Sequence, residues 1–173
     1  RHGDYRGVDS CRAATIVSGG GKGCAWGCLG LGDCEQVCDF DASVMDAHDL
    51  PQVIDDKCTA CGDCVDICPR DLFSLHSLSH RLWVACKNLE RGEAAEDECT
   101  VACTGCGRCA LDAPEDLITI NNSLAVIDYS KNALASRIAI ERCPTGAIVW
   151  LEGGVQKGVG AVKIIRKEAL PLK

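Results

Sequence analysis

Four cysteines between Cys58 and Pro69, in the run CTACGDCVDICP, stand at the spacing C-x2-C-x2-C-x3-C-P. Thiolates are soft ligands, and three of them at two-residue intervals let a backbone curl round one iron–sulfur cube. The fourth cannot reach the same cube. In chains that carry two clusters it ligates the other one, so Cys68 predicts a partner motif elsewhere. That partner is KGCAWGCLGLGDCEQVCDF, where Cys24, Cys28, Cys34 and Cys38 are separated by three, five and three residues. Its looser spacing, filled largely by glycine and leucine, reads as a loop bulging round a cube, and Asp39 stands where the usual proline would follow. Crossing the motifs assigns Cys24, Cys28, Cys34 and Cys68 to one 4Fe-4S cluster and Cys38, Cys58, Cys61 and Cys64 to a second.

A further set opens at ACTGCGRCALDAP. Cys103, Cys106 and Cys109 keep the two-residue spacing, but Ala113 replaces the fourth cysteine, and no cysteine follows until Cys143-Pro144. Under the crossing rule Cys103, Cys106, Cys109 and Cys143 make a complete third cluster, while Ala113 and the absent cysteines would have made a fourth. One site is kept whole and one is lost whole. The intervening small and apolar residues, Ala133, Leu134, Ala135, Ile138, Ala139 and Ile140, read as a helix packing where a cube would sit. Cys11, Cys86 and Cys99 remain over. Cys99, separated from Cys103 by three residues, could replace one member of the third set; Cys11 reads as a small buried hydrophobe ahead of a ligand, and the remaining roles are burial or support.

These sites need short elements to hold them. Strands are expected at Gln52–Asp56, over Asp71–Leu78, at Leu82–Ala85, as a hairpin in LITINNSLAVID round Asn121 and Asn122, and in GAIVWLEGG. The fold class is α+β, built from two tandem bacterial dicluster-ferredoxin-like modules, the second degenerate. Residues 1–22 read as a leader or connector, 23–80 as the dicluster module, 81–152 as the single-cluster module, and 153–173 as a basic tail that docks on this chain or a neighbour.

Composition agrees with a metal-centred protein. Fifteen of 173 residues are cysteine and 4% are aromatic, so bulky side chains cannot dominate the interior. A disulfide scaffold would scatter its cysteines over loops in a secreted chain. Zinc takes four ligands and does not account for a third and fourth thiol at these intervals. The formal net charge of −7 disfavours nucleic acid and suits a basic protein partner. Asp39, Asp41, Asp46, Asp49, Asp55, Asp56, Asp63 and Asp66 crowd the first module, as a solvated surface or a docking face. SGGGKG lacks the spacing of a phosphate loop, and His2, His48, His76 and His80 show no ligand spacing. No run of about 18 apolar residues occurs, so no membrane span is expected. The chain starts at Arg1 rather than Met and reads as a fragment or processed product.

A DCRAA-type segment around Cys11, then KGC-x2-GCLGLGDC and TACG-x-CV-x2-CPR, followed by WVAC, ACTGCGRC, NNSLAVIDY and CPTGAI, resemble the ferredoxin-like B subunit of the Rnf complex from about residue 5 to about residue 150. The resemblance implies electron transfer between ferredoxin and a membrane-bound, flavin-containing chain ending at NAD, coupled to ion pumping. It also implies an N-terminal membrane helix, an extra cluster motif and a complete second dicluster unit, none of which stands in this sequence. The chain is therefore expected to be a piece of such a subunit, or a relative serving another multisubunit oxidoreductase. Its expected role is non-catalytic. Three 4Fe-4S clusters would relay single electrons between ferredoxin or flavoprotein partners in a hetero-oligomer, in the cytoplasm or peripheral at the inner membrane face. An enzyme with substrate bound at a cluster, or a subunit whose clusters only brace the fold, are the rival readings.

Overall fold

A computed structural model describes residues 3–162. The expected basic tail lies outside the described residues from position 163 onward, as does His2. The chain divides into two compact units, Arg1–Ser77 and Leu78–Lys173. Among the described residues no helix is long and apolar enough to cross a membrane.

The first unit contains α1 (Cys11–Ile16), α2 (Asp33–Gln36), the antiparallel pair β1 (Ser43–Met45) and β2 (Pro51–Val53), and α3 (Asp63–Ile67). No strand forms over Asp71–Leu78, contrary to expectation. The Leu72 N–H there is directed at the Cys68 sulfur, 3.4 Å away, so this donor is not available to a strand partner. The unit's buried apolar cluster is only Cys11, Ala14 and Leu29, with Tyr5 and Leu31 packed against it.

The second unit contains β3 (Leu82–Val84), α4 (Glu93–Glu98), α5 (Arg108–Asp112), β4 (Ile118–Asn121), β5 (Leu124–Ile127), α6 (Ile138–Glu141), β6 (Ile148–Leu151) and β7 (Val155–Gln156). Strands β3, β6 and β7 form one antiparallel sheet, and β4 and β5 form a hairpin. The hairpin turns at Asn122 and Ser123, both at positive φ, one residue later than expected. A larger core lies between these sheets and the helices. It comprises Leu82, Leu117, Ile118, Ala125, Ile127, Ala139, Ile140, Ala147 and Ile148, together with Cys109 and Cys143. The helix expected over Ala133–Ile140 is interrupted. A 3-10 turn at Tyr129–Leu134 is followed by extended Ala135 (φ −64°, ψ 135°) and only then by α6. Ala139 and Ile140 are buried, whereas Leu134 and Ile138 are exposed.

One backbone device recurs through both units. Left-handed residues occur in pairs at Gly30 and Gly32, Ala60 and Gly62, and Gly105 and Gly107, each pair leading into a short helix (α2, α3, α5). A further left-handed residue follows each helix at Asp41, Asp71 and Asp116. Before Cys143 the pair is missing, since Ala135 and Arg137 have negative φ, although Gly146 keeps the later left-handed position.

The pair yields a prediction of opposite signs. Ala60 holds φ 58° with a side chain, and a left-handed L residue costs about 1–2 kcal/mol, part of which glycine's greater unfolded-state freedom offsets. A Cβ on Gly105 would lie 2.8 Å from the Ser123 carbonyl oxygen. Thermal unfolding of the cluster-loaded chain should therefore show Ala60→Gly stabilised by about 1 kcal/mol and Gly105→Ala destabilised by more than that.

Candidate metal centres

In the first unit the loop before α2 and the end of α3 border a solvent-open cavity lined by Cys28, Cys34 and Cys68. Cys11 lines it too. Cys24, expected to complete this set, is not among the lining residues. The remaining wall is mostly apolar, with Leu29, Met45, Pro51, Pro69, Leu72 and Phe73, while Arg70 contributes a cation and Asp33 a carboxylate. Burial raises the Cys28 and Cys34 thiols above the ordinary range. At Cys28 the backbone N–H of Gly30 and the Lys22 ammonium act in the opposite direction.

Cys38 is turned toward the other motif. The Cys64 thiol is raised first by burial and then by the nearby sulfurs of Cys61, Cys58 and Cys38, which places the four thiols in one electrostatic group. Cys38 itself is lowered, chiefly by the backbone N–H of Phe40 and then of Ala42. The Ala42 N–H donates to its sulfur at 3.4 Å, as the Leu72 N–H does at Cys68. Both bonds span four residues at equivalent helix ends. Cys58 and Cys61 are exposed, so this group lies at the surface.

In the second unit Cys103, Cys106, Cys109 and Cys143 all line one solvent-open cavity, with Val84, Ile120, Ala125, Ala147 and Ile148 in its wall. Cys109 is pushed up to about 11, first by burial and then by the sulfurs of Cys103, Cys143 and Cys106. The side chain of Arg142 donates through Nε to Asp112 at 2.7 Å, tying the end of α6 to the end of α5 and so Cys143 to the helix that carries Cys109. The Arg142 guanidinium holds the Asp112 carboxyl below its usual range. Cys86 and Cys99 are absent from the cavity lining, but Cys86 is near: its sulfur accepts from the Cys103 N–H at 3.3 Å and the Asn88 N–H at 3.4 Å.

These donor sets fit an iron–sulfur cube. Among the described residues no group of three or more His, Cys, Asp or Glu converges on a single point to hold one metal ion. Instead the sulfurs stand round a cavity with apolar walls and receive N–H bonds from the backbone, as cluster ligands do. Arg70 supplies the other sign of fit. Its Nη1 donates to the Ala25 carbonyl, while its buried Nε has no partner in the protein, leaving a donor in the wall of a site suited to an anionic group.

Comparison with known proteins agrees. The 4Fe-4S binding domain family matches residues 51–73. The B subunit of the Na(+)-translocating ferredoxin:NAD(+) oxidoreductase complex of Acetobacterium woodii is 44% identical over 162 residues, covering 94% of this chain and 47% of that protein. The chain is a homologue of these B subunits. The proton-translocating counterpart from Clostridium ljungdahlii is 40% identical over 87% of this chain and 54% of its own. The B subunit of the ion-translocating oxidoreductase complex of Methanosarcina acetivorans is 37% identical over 84% and 54%. The chain thus spans about half the length of the curated relatives it matches, and it is an iron–sulfur protein of the ferredoxin type.

Reasoning from spacing did not find Cys11 or Arg70. It also missed Tyr129, whose hydroxyl donates to the Leu82 carbonyl at 3.1 Å and whose ring stacks on His80 at 4.4 Å, bracing β3 behind the second unit's cavity. Burial pushes the Tyr129 phenol up to about 12 from 10.0. Its neutral form is therefore favoured by folding, a contribution complete below pH 10 and lost as pH rises toward 12. Unfolding midpoints across that window should fall in the wild type, and Tyr129→Phe should flatten the fall.

Proposed function

We propose that the chain is an electron-relay subunit carrying three 4Fe-4S clusters between a ferredoxin-type protein and an NAD-linked redox partner. The observation that carries this reading is the grouping of four cysteines round each of two apolar-walled cavities, with a third group at an exposed surface. A 4Fe-4S cluster supplies one-electron redox chemistry at a potential set by charge, hydrogen bonds and exposure. Cys38, Cys58, Cys61 and Cys64 would hold one, Cys103, Cys106, Cys109 and Cys143 another, and Cys28, Cys34 and Cys68 with one further thiol the remaining one. The apolar walls lower the polarity round two of these sites, and the N–H bonds to Cys38 and Cys68 offset thiolate charge. The modules are a complete dicluster unit and a degenerate one. The absent left-handed pair before Cys143 and the alanine at position 113 support loss of the fourth site.

The names of the relatives supply the partners. They include ferredoxin and NAD(+), and an assembly of subunits. A basic partner would meet the first unit where Cys58 and Cys61 are exposed. Asp39, Asp41, Asp49, Asp55, Asp56, Asp63 and Asp66 are exposed there, while Lys57 is the only lysine or arginine between residues 39 and 66. Such a subunit works at the membrane through its complex, without a span among the described residues.

Anaerobic reconstitution should give about twelve iron and twelve sulfide per chain, and Cys143→Ser should lose about four of each while leaving the other two clusters redox-active in a spectroscopic titration. A wild-type value of about eight would overturn the third site. Electron exchange with a basic redox protein should slow as salt is raised from about 0.01 M to 0.15 M, over which the screening length falls from about 30 to 8 Å.

A further inference from the structure

The loop from Cys28 to Cys38 does not bulge. Its left-handed pair, Gly30 and Gly32, occupies the same places as Ala60 and Gly62 and as Gly105 and Gly107, each pair two and four residues after the first cysteine of its loop. The three loops therefore align residue for residue. Cys28 matches Cys58 and Cys103, and Cys34 matches Cys64 and Cys109. The residue between each pair is Cys61 in one loop, Cys106 in another, and Leu31 here. The motif is a regular one whose middle ligand has become leucine. With Cys68 crossing over, three thiols face the cavity, and a cube has four irons.

We propose that Cys11 is the fourth thiolate of this site, standing in for the middle cysteine that Leu31 replaces. The inference rests on the iron–sulfur reading given above and deepens it. Cys11 is buried and lines the same cavity as Cys28, Cys34 and Cys68. Leu31 packs against the cluster formed by Cys11, Ala14 and Leu29, so the replaced side chain and the replacing thiol are neighbours. Two bonds hold Cys11 in place from either side. The Ser10 hydroxyl donates to Asp33 Oδ2 at 3.0 Å, and the Arg12 N–H donates to the same oxygen at 3.3 Å, which ties the start of α1 to the residue before Cys34. Asp33 is itself buried, the acceptor of a long-range joint rather than a surface charge. Cys24 instead sits against Gly27, outside the cavity lining.

An internal repeat points the same way. Cys86, Cys99, Cys103, Cys109 and Cys143 each stand 75 residues after Cys11, Cys24, Cys28, Cys34 and Cys68, and Cys106 stands 75 after Leu31. In the second unit the counterpart of Cys11, Cys86, lies beside Cys103, where Cys106 already supplies the middle thiol. Cys86 accepts from the first residue of its loop, Cys11 lines one cavity with the first residue of its own, and only the first unit's loop has no cysteine at the middle position. On ligation the Cys11 thiol gives up its proton, as the other three do.

The test compares Cys11→Ser, Cys24→Ser and the double variant Cys11→Ser/Leu31→Cys in the full chain reconstituted without oxygen. Iron and sulfide content and electron paramagnetic resonance of oxidised and reduced samples are the readouts. Cys11→Ser should lose about four iron, or about one with the appearance of an oxidised 3Fe-4S signal, whereas Cys24→Ser keeps the wild-type complement. The double variant should regain the lost cluster, which separates a missing ligand from a failure to fold. Loss on Cys24→Ser with retention on Cys11→Ser, retention in both, or failure of Leu31→Cys to restore the cluster overturns the assignment of Cys11. A wild-type chain that takes up no iron overturns the iron–sulfur reading itself.

Discussion

Four sulfurs that face one centre repel one another once they are thiolates, and an apolar wall makes each negative charge more costly still. The rise of Cys109 to about 11 is this conflict in one residue, with burial and three neighbouring sulfurs all opposing its ionisation. A cation-bearing cube between the sulfurs removes it. The rest of the architecture follows from the need to present thiols in that arrangement: left-handed residues on either side of a middle ligand, a one-turn helix carrying the next, and a crossing cysteine from another segment. In the first unit the dependence is strongest, because the buried apolar cluster of Cys11, Ala14 and Leu29 is too small to hold some seventy residues by hydrophobic burial alone. There the metal site is the core.

The two units meet this constraint with different resources. The second has a sheet and hairpin that bury Leu82, Leu117, Ile118 and Ile148 around its cavity, and ion pairs such as Arg142 with Asp112 at its rim. The first relies on polar joints: Asp33 binding both flanks of Cys11, Asp46 accepting from the His48 and Leu50 N–H groups, and Arg70 donating to Ala25. Acidic side chains in this unit therefore do two kinds of work. Asp33 and Asp46 are structural acceptors, whereas the exposed aspartates near Cys58 and Cys61 define the character of the surface.

Much of the molecule could be read from spacing because ligand spacing and backbone geometry have one cause here. The run from Cys58 to Pro69 pointed Cys68 away from its neighbours, and Cys68 lines a cavity with Cys28 and Cys34. The hairpin was visible in its alternation and in Asn122, a residue that tolerates positive φ. What could not be read came from counting intervals between cysteines instead of aligning loops. The five-residue gap from Cys28 to Cys34 looked like slack, although Gly30 and Gly32 repeat the left-handed positions of Ala60 and Gly62 and place Leu31 level with Cys61. Asp71–Leu78 looked like a strand because sequence alternation does not reveal that the Leu72 N–H points at sulfur. The broken helix before Cys143 was obscured likewise, since Ala135 is extended without a glycine or proline to announce it.

The crossing cysteines have a consequence for how the chain is made. Cys68 and Cys143 are the last ligands of their units in chain order, and each closes a cavity begun some forty residues earlier by Cys28 or Cys103. During synthesis from the N-terminus, the first unit acquires its full set of thiols while the second is still unmade. The second waits longer, since β3 has no partner until β6 emerges just after Cys143. In chain order, each cavity's set of lining cysteines is complete only when its final member has been made, the first unit's before the second's.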